Sequence, residues 1–415
     1  MPEEKKSNTK IINSDDVRRA KNNQKKRRAG FFTVLIALTL FLIVVIGMVT
    51  GGYEKFLDCV GVDRDVTIRP EGVDLQCTIG TSSLCAAIDD TVIVYDENGV
   101  TGYSSKGVWK WNTTCSFMSP VLQSYKNFVL LTDVGGHLIW AFDGDGILWK
   151  YNFADKVTGV FVSKDEKNLF VAHEIADFTS AVSMVAIDSL IKEDPHIKYT
   201  RKFVSYNTVC VANSNSQVAV TGMYNDVSTV VGTVCLLKGS DGSEYTTQIF
   251  DGQIYVKALY LGESNLFLAN SNSLVHIKKQ TVASGENDSE SVVWSRESTA
   301  RELINIVPIR NDYCVAVYRK ANNDTDSNIS EIIYYDNNGK EVRQFGIKGD
   351  VKGIISRGDT VCLYTEKYVY MFDSKARLIG KYESNYNISN IVYMDDYRVL
   401  VQSDSCATLV SYKGE

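Results

Sequence analysis

Beyond residue 50 the chain consists of short runs rich in β-branched and aromatic residues, in which apolar and polar positions alternate. The run "HLIWAFD" at 137–143 is typical, and the turn-like "GDG" follows it directly. Apolar runs of this length bounded by Gly, Asn, Asp and Ser are typical of β-strands. No helical periodicity of any length is present after residue 50. The pattern therefore predicts an all-β domain.

These runs recur as a unit. A strand that ends at a turn is repeated eight times at a spacing of about 45 residues, with copies that start at 91, 137, 181, 232, 273, 331, 368 and 407. One strand-like run precedes each copy and others follow, so each unit has four strands. Four-stranded units of this size are typical of β-propeller blades, which bury their faces by stacking in a ring. We predict eight blades; seven is the alternative, because the unit at 273 is irregularly spaced.

The last unit, "SCATLVSYKGE", ends the chain after only three strands. We expect the start of the domain to supply the missing fourth strand, most simply "DVTIRP" at 65–70. This closure would join the first and last blades and leave no open sheet edge.

The motif D-x-x-G recurs at Asp96–Gly99, Asp143–Gly146 and Asp336–Gly339. Asp at the first position and Gly at the fourth predict a type I turn that closes a hairpin, with the glycine in the left-handed region. A calcium loop would need further oxygen ligands at alternating positions, whereas apolar residues follow Gly146. We therefore interpret the motif as a turn, and Trp149 as a strand residue that packs between blades.

The N-terminal part has a different pattern. Residues 31–49 form an uncharged apolar run of 19 residues, close to the ~20 that a membrane-spanning helix needs. Lys25–Arg28 precede it directly, and positive charge stays on the cytoplasmic side. We predict a disordered basic cytoplasmic tail (1–30), a single transmembrane helix (31–49), a short stalk (50–63) and an extracytoplasmic propeller (64–415). A cleaved signal peptide is the alternative.

Charge supports this division. The chain has a net charge of −6, but the first 30 residues contribute +6, so the remainder is strongly acidic. An acidic body argues against nucleic acid as a partner.

No catalytic constellation is recognisable. The nine cysteines show no C-x-x-C spacing, and most lie in apolar runs, which indicates small buried hydrophobes. Cys77 and Cys85 are the candidate pair if a disulfide forms. No two of the four histidines lie within about 20 residues of each other, and no nucleophile elbow, P-loop or H-E-x-x-H is present. We therefore predict no catalytic residue, no metal and no cofactor, and interpret the protein as not an enzyme.

Candidate binding residues lie in three long polar connections between second and third strands, in the third, fourth and sixth units. Binding residues favour loops on a rigid scaffold, whereas most hairpin loops are short. Neutral surface drift is the alternative explanation. The candidate partner-binding residues are Asp177, Phe178, Tyr224, Asn225, Asp226 and Asp324.

The pattern W-A-F-D-x-x-G-x-x-W at 140–149 resembles the repeat of quinoprotein-like (PQQ-repeat-like) propellers. The whole arrangement resembles an uncharacterised family of Gram-positive (Firmicutes) single-pass membrane proteins with an external propeller of this kind. The resemblance implies fold and topology. Quinoprotein dehydrogenases use a vicinal disulfide, and this sequence has no Cys-Cys dipeptide, so their chemistry is not implied.

These observations favour a membrane-anchored binding or scaffold module of the bacterial cell envelope, without catalysis, whose partner is an envelope protein or the cell wall. The alternative is an envelope enzyme or sensor with a glycan or small-molecule site in the axial funnel of the propeller. Carboxylates, or a histidine and a carboxylate, converging in that funnel would favour the alternative.

Overall fold

The computed structural model shows a closed ring of eight four-stranded antiparallel sheets. The residues that the structure describes are 72–75, 79–80, 82–213, 217–226, 229–280, 289–297, 301–320, 329–404 and 406–412. The predicted tail (1–30), transmembrane helix (31–49) and stalk (50–63) lie outside them. Among the described residues, no helix combines the length and apolarity that crossing a bilayer requires.

Each of the first seven blades is a meander in which strands follow one another in sequence order, and the first strands of successive blades contact each other around the axis. Blades 1 to 4 contain, from the inside outward, β2 Leu84–Ile88, β3 Thr91–Asp96, β4 Gly99–Ser104 and β5 Trp109–Thr113; β6 Pro120–Ser124, β7 Val129–Asp133, β8 Leu138–Asp143 and β9 Gly146–Asn152; β10 Val157–Val162, β11 Asn168–Ile175, β12 Phe178–Ala186 and β13 Ile197–Phe203; β14 Tyr206–Ala212, β15 Gln217–Asp226, β16 Thr229–Lys238 and β17 Glu244–Asp251.

Blades 5 to 8 have the same order of strands. They contain β18 Lys257–Leu261, β19 Asn265–Ala269, β20 Ser273–Gln280 and β21 Ser289–Glu297; β22 Arg301–Ile309, β23 Tyr313–Lys320, β24 Ile329–Asp336 and β25 Glu341–Lys348; β26 Gly353–Arg357, β27 Thr360–Tyr364, β28 Tyr368–Asp373 and β29 Leu378–Glu383; β30 Ile388–Tyr393, β31 Arg398–Ser403, β32 Ala407–Ser411 and β1 Gly72–Asp74. The unit at 273 forms a full blade, so the ring has eight blades and not seven.

The N-terminal strand closes the ring. β1 pairs antiparallel with β32, with Val73 opposite Leu409, and is the outermost strand of blade 8. The Thr408 hydroxyl donates a hydrogen bond of 2.6 Å to the Asp74 carboxylate. Closure by the start of the domain was predicted, but the strand that pairs is Gly72–Asp74; the predicted 65–70 lie outside the described residues.

One predicted repeat is out of register. Seven copies lie on third strands, but the copy at 91 is β3, the second strand of blade 1. The equivalent strand is β4, which ends at Ser104 where the third strands of blades 2, 6 and 7 end in Asp. The Ser104 hydroxyl oxygen accepts hydrogen bonds from the backbone N–H groups of Lys106 and Val108, which makes it a substitute for the aspartate.

The aspartate turns are confirmed. The Asp143 carboxylate accepts hydrogen bonds from the N–H groups of Asp145 (2.9 Å) and Gly146 (3.1 Å), which closes the β8–β9 hairpin. Gly339 has a φ of 74°, close to the left-handed region that we predicted. Gly146 has a φ of 142°, which is positive but beyond that region. A side chain at either backbone position would be strained.

Apolar clusters lie between neighbouring blades and hold the ring together. One of them joins Phe128 and Trp149 of blade 2 to Val160 and Val171 of blade 3, and seven similar clusters surround the axis. Trp149 is buried there, as predicted. Each blade thus buries both faces only because the next blade covers it.

A short helix, α1 (Ile187–Ile191), lies in the connection between β12 and β13, the third and fourth strands of blade 3, and was not predicted. Its apolar residues Ile187 and Leu190 are buried in the cluster between blades 2 and 3. Five residues are too few for helical periodicity to be visible in the sequence.

We call the side of the ring with the blade-to-blade connections and the second-to-third-strand hairpins the connector face, and the other side the opposite face. We predicted that the long polar segments of blades 3 and 4 are loops, but they are extensions of these hairpins. Only residues 176–177 separate β11 from β12, and β15 and β16 have ten residues each. The cause is cross-strand pairing, which continues to Ile175↔Phe178 and Asp226↔Thr229. In blade 6 the corresponding residues 321–328 lie outside the described residues.

Candidate binding surface

Five of the six predicted binding residues lie on the connector face of blades 3 and 4. Asp177 and Phe178 are exposed at the tip of the blade 3 hairpin, where Asp177 has a φ of 68°. Tyr224, Asn225 and Asp226 lie at the end of β15; the last two are exposed, whereas Tyr224 is half-buried. The sixth residue, Asp324, lies outside the described residues.

The two hairpins meet through the connection between blades 3 and 4. The Thr179 hydroxyl donates a hydrogen bond of 2.8 Å to the backbone carbonyl of Val204, and the Ser180 hydroxyl one of 2.6 Å to that of Ser205. Directly after this connection, Tyr206 pairs with Met223 of the blade 4 hairpin. Hydrogen bonds and strand pairing therefore fix both hairpins to one short segment.

Exposed apolar side chains line these elements. We define the apolar patch as the residues Phe178, Val204, Tyr206, Val230 and Val256, whose exposed fractions range from 40% for Val230 to 76% for Val204. The Gly252 N–H donates to the Val230 carbonyl, which links the blade 4 hairpin to the connection that contains Val256. These residues extend from the blade 3 hairpin to the connection between blades 4 and 5. Exposed apolar residues grouped in this way mark interaction sites more often than scattered single residues do.

Charged groups surround the apolar patch. The Lys202 ammonium lies 5.0 Å from the centre of the Phe178 ring, a distance that allows a cation–π contact. Asp177 and Asp226 are exposed on the two hairpins, and Asp251 is exposed at the end of β17, directly before the connection to blade 5. The patch therefore combines apolar side chains with a mainly acidic border.

Of the five patch residues, only Phe178 was predicted as a binding residue from the sequence. Val204, Tyr206 and Val256 lie in or beside short blade-to-blade connections, which looked like ordinary strand ends, and Val230 is the second residue of β16. A signal was present in "FVSYN" at 203–207, where three large apolar residues occur at the junction of β13 and β14. The pattern could not show that they are exposed.

A chain of hydrogen-bonded polar side chains, buried at its centre and exposed at both ends, lies beneath the blade 3 hairpin. The Asp155 carboxylate is 3.2 Å from Nδ1 of His173, and Nε2 of His173 is 2.9 Å from the Ser183 hydroxyl oxygen. Ser183 and Thr200 share a further hydrogen bond of 2.7 Å. The His173 ring is buried and packs against Phe153.

The order Asp155, His173, Ser183 is that of a hydrolytic triad, and the distances match. Unlike the serine of a hydrolytic triad, however, Ser183 is not accessible to a substrate. Ser183 is only 1% exposed, and its oxygen is already bonded to both His173 and Thr200, so a substrate carbonyl cannot reach it. Because a general base and its nucleophile must contact the reacting group, we interpret the Asp155–His173–Ser183–Thr200 network as structural.

Two carboxylates also converge on the connector face of blades 6 and 7. The Arg319 guanidinium lies 2.7 Å from the Glu302 carboxylate and 3.7 Å from that of Asp350, and the Lys352 ammonium is 2.8 Å from Asp350. Cations thus separate and neutralise the two acids. Paired carboxylates for acid–base chemistry would need to face each other or a reacting group.

The opposite face is tied together by polar contacts between blades. Arg398 pairs with Asp90 across blades 8 and 1 at 3.2 Å, and Arg310 pairs with Asp359 across blades 6 and 7. The Lys164 ammonium of blade 3 donates to the Asn311 side chain of blade 6. Because blades 3 and 6 are not neighbours, this last contact crosses the axial opening and narrows it on this side.

His276 is the histidine whose pKa is clearly shifted. It is fully buried in blade 5, its ring stacks on that of Phe267 at 4.6 Å, and its Nε2 is 3.1 Å from the Asn265 amide oxygen. Burial lowers the pKa of His276 from 6.5 to about 4; the Lys278 ammonium acts in the same direction, and the Asp336 carboxylate opposes it. The imidazole is therefore neutral at physiological pH. Within the described part of the chain, no group of three or more acids, histidines and cysteines could hold a metal ion.

Five of the seven described cysteines are buried, as the apolar runs predicted for most of them, and Cys115 and Cys406 are half-buried. Burial raises the pKa of the Cys210, Cys314 and Cys362 thiols well above the usual range, which keeps them protonated and unreactive. Cys85 is buried as well. Its predicted partner, Cys77, lies outside the described residues, so that pairing stays a prediction.

Several solved structures resemble the chain in fold. BamB from Moraxella catarrhalis is 14% identical, with a TM-score of 0.48 over 84% of this chain and 98% of that one. The WD40 domain of SCAP from fission yeast is 12% identical, with a TM-score of 0.48 over 83% and 98%. A eukaryotic initiation factor is 10% identical, with a TM-score of 0.49 over 81% and 86%. At these identities no activity or partner carries over to this chain.

No curated protein matches the chain in sequence. A model of a family of unknown function, DUF5711, matches residues 73–409. The match starts within the closing strand β1 and ends within β32, so it includes all eight blades. The chain therefore belongs to the DUF5711 family, a family of unknown function.

Proposed function

We propose that the chain is a membrane-anchored binding or scaffold module of the cell envelope, which docks a protein partner on the apolar patch without catalysis. The observation that supports docking is the exposure of five linked apolar side chains on the connector face. Loops and hairpins held by a rigid ring are favourable positions for recognition, because binding then orders few groups.

Charge indicates the chemistry of the partner. The apolar patch has an acidic border, and the chain beyond residue 30 is strongly acidic. A partner segment with apolar side chains flanked by Lys or Arg would be complementary to both features. Such charges would speed up encounter and select the partner, while burial of the apolar side chains would supply most of the affinity.

The anchor in this proposal is supported by the sequence alone. The uncharged run at 31–49 and the basic residues before it favour a single-pass membrane protein with the propeller outside the cytoplasm. The resemblance to Gram-positive single-pass proteins points to the same topology.

The docking proposal is tested by photo-crosslinking in intact cells of the organism that makes the protein. A photoreactive amino acid replaces Tyr206 in one variant and Trp109 in the other; both residues are about equally exposed, at 62% and 60%, on the connector face and the opposite face respectively. We expect a specific crosslinked protein from position 206 and none from 109. Equal crosslinking from both positions would contradict docking on the apolar patch.

Affinity for the crosslinked partner then gives a quantitative test. Val204→Asp places a charge in the middle of the apolar patch, and Val108→Asp places one at a similarly exposed valine on the opposite face. We expect Val204→Asp to raise the Kd at least about tenfold, or ~1.4 kcal/mol, and Val108→Asp to leave it unchanged. An unchanged Kd for Val204→Asp would contradict the proposal.

A further inference from the structure

The blade 3 hairpin contains a β-bulge just below its tip. Strand pairing runs through His173↔Ala181 and resumes at Ile175↔Phe178. Two residues of β12 therefore oppose the single residue Glu174 of β11. Such a bulge takes backbone groups out of the ladder, bends the hairpin and redirects the side chains beyond it. The direction of Phe178 thus depends on what holds the bulge.

The backbone groups of Glu174, an exposed residue, find hydrogen-bond partners outside the β11–β12 ladder. Its N–H donates a hydrogen bond of 2.9 Å to the Lys156 carbonyl. Its carbonyl accepts one of 2.8 Å from Nδ1 of His173, the preceding residue. The imidazole therefore replaces the ladder partner that the bulge removed.

The tautomer of His173 follows from its neighbours. The Glu174 carbonyl and the Asp155 carboxylate are both acceptors and both face Nδ1, so Nδ1 carries a proton. Nε2 then accepts from the Ser183 hydroxyl, which is fixed in turn by Thr200. Ser183 and Thr200 thus hold the imidazole of His173, on its Nε2 side, in the orientation that supports the bulge.

We infer that His173 is a positioning residue for the apolar patch: its Nδ1–H holds the bulge at Glu174 and so sets the direction of Phe178. As a statement about recognition, this rests on the proposed docking function. It gives the Asp155–His173–Ser183–Thr200 chain a role in the binding surface, although none of these residues needs to contact the partner.

Two substitutions in the full-length protein separate the two ring nitrogens. In His173→Asn the side-chain N–H can occupy the place of Nδ1–H and keep the bond to Glu174. In His173→Gln the amide reaches the place of Nε2 and keeps the bond to Ser183, but leaves the Glu174 carbonyl without its donor. Both variants lose packing against Phe153, so both are expected to melt at a lower temperature.

The readout is hydrogen–deuterium exchange of peptides that contain residues 174–179. We expect exchange there to be at least about tenfold faster in His173→Gln than in His173→Asn, because the lost hydrogen bond to the Glu174 carbonyl lies at the bulge itself. The blade 4 hairpin is the internal control and should exchange equally in both variants. Equal exchange of residues 174–179 in the two variants would overturn the inference. If His173 only stabilised the fold as a whole, exchange would follow the melting temperature of each variant and would not differ specifically at the bulge.

Binding of the crosslinked partner distinguishes this inference from the proposed function. If His173→Gln loosens the hairpin while Val204→Asp leaves binding unchanged, His173 positions the hairpin but the apolar patch is not the docking site. If Val204→Asp weakens binding and His173→Gln leaves hairpin exchange unchanged, the docking site stands and the role of His173 is wrong.

Discussion

Acid is expected to destabilise the propeller through His276, and His276→Gln is the substitution that reveals it. Glutamine retains an N–H donor that can reach Asn265 but does not titrate. The wild-type imidazole is fully buried, and burial lowers its pKa from 6.5 to about 4. Between these two values the unfolded chain binds a proton that the folded chain excludes. Stability is therefore lost as the pH falls from 6.5 to about 4 and changes no further through this group below that.

The magnitude follows from the size of the shift. One pKa unit corresponds to ~1.36 kcal/mol, so a shift of this size corresponds to about 3 kcal/mol of free energy of unfolding lost between pH 7.5 and pH 4. Carboxylates also respond to acid, but they do so in wild type and variant alike. The difference between the two proteins thus isolates the contribution of His276.

The assay is guanidinium unfolding, followed by tryptophan fluorescence, at pH values from 7.5 to 4. We expect the stability of wild type relative to His276→Gln to fall by about 3 kcal/mol over this range. His196→Gln is the matched control, because the His196 side chain is exposed, and its curve should run parallel to that of wild type. A His276→Gln curve that is also parallel to wild type would refute the reasoning.

Two further predictions concern the close packing at Gly232 and the membrane topology of the chain. Gly232→Ala would place a Cβ atom 1.8 Å from the backbone carbonyl oxygen of Gln253, so we expect the free energy of unfolding to fall by at least about 2 kcal/mol and Tm to fall clearly. Gly80→Ala is the control, because its Cβ atom would lie 3.5 Å from the nearest atom and the substitution should change Tm little. Equal changes of Tm in the two variants would contradict the close packing at Gly232. Protease added to intact cells stripped of wall should digest the propeller and spare the tail at 1–30; a protected propeller would show that the predicted topology is wrong.

The sequence predicted most of the fold because the information is local. Apolar runs, turns such as Asp143–Gly146 and their regular recurrence depend on residues that are neighbours in the chain, and each blade repeats them. In blade 1 the predicted repeat lies one strand early, because Ser104 forms the turn that Asp forms in blades 2, 6 and 7, so the local signal was absent.

The candidate site was only partly predictable. Composition located the blade 3 and blade 4 hairpins, including Phe178, as unusual segments. It could not show that they extend as paired strands, because pairing beyond the blade depends on the register between β11 and β12 and between β15 and β16. Exposure of Val204 and Tyr206 likewise depends on what neighbouring blades leave uncovered.

The sequence by itself determined the all-β strand content, the four-stranded repeat and the principle of ring closure, since these follow from period, spacing and an unfinished last unit; it favoured eight blades over seven, and the structure decided between them. Only the tertiary structure decided which strand closes the ring, that His173 meets Asp155 and Ser183, and that Lys164 reaches Asn311 across the axis. The physical reason is that these contacts join residues far apart in the chain, and their geometry is set by the packing of blades against one another. Local pattern contains no information about that packing.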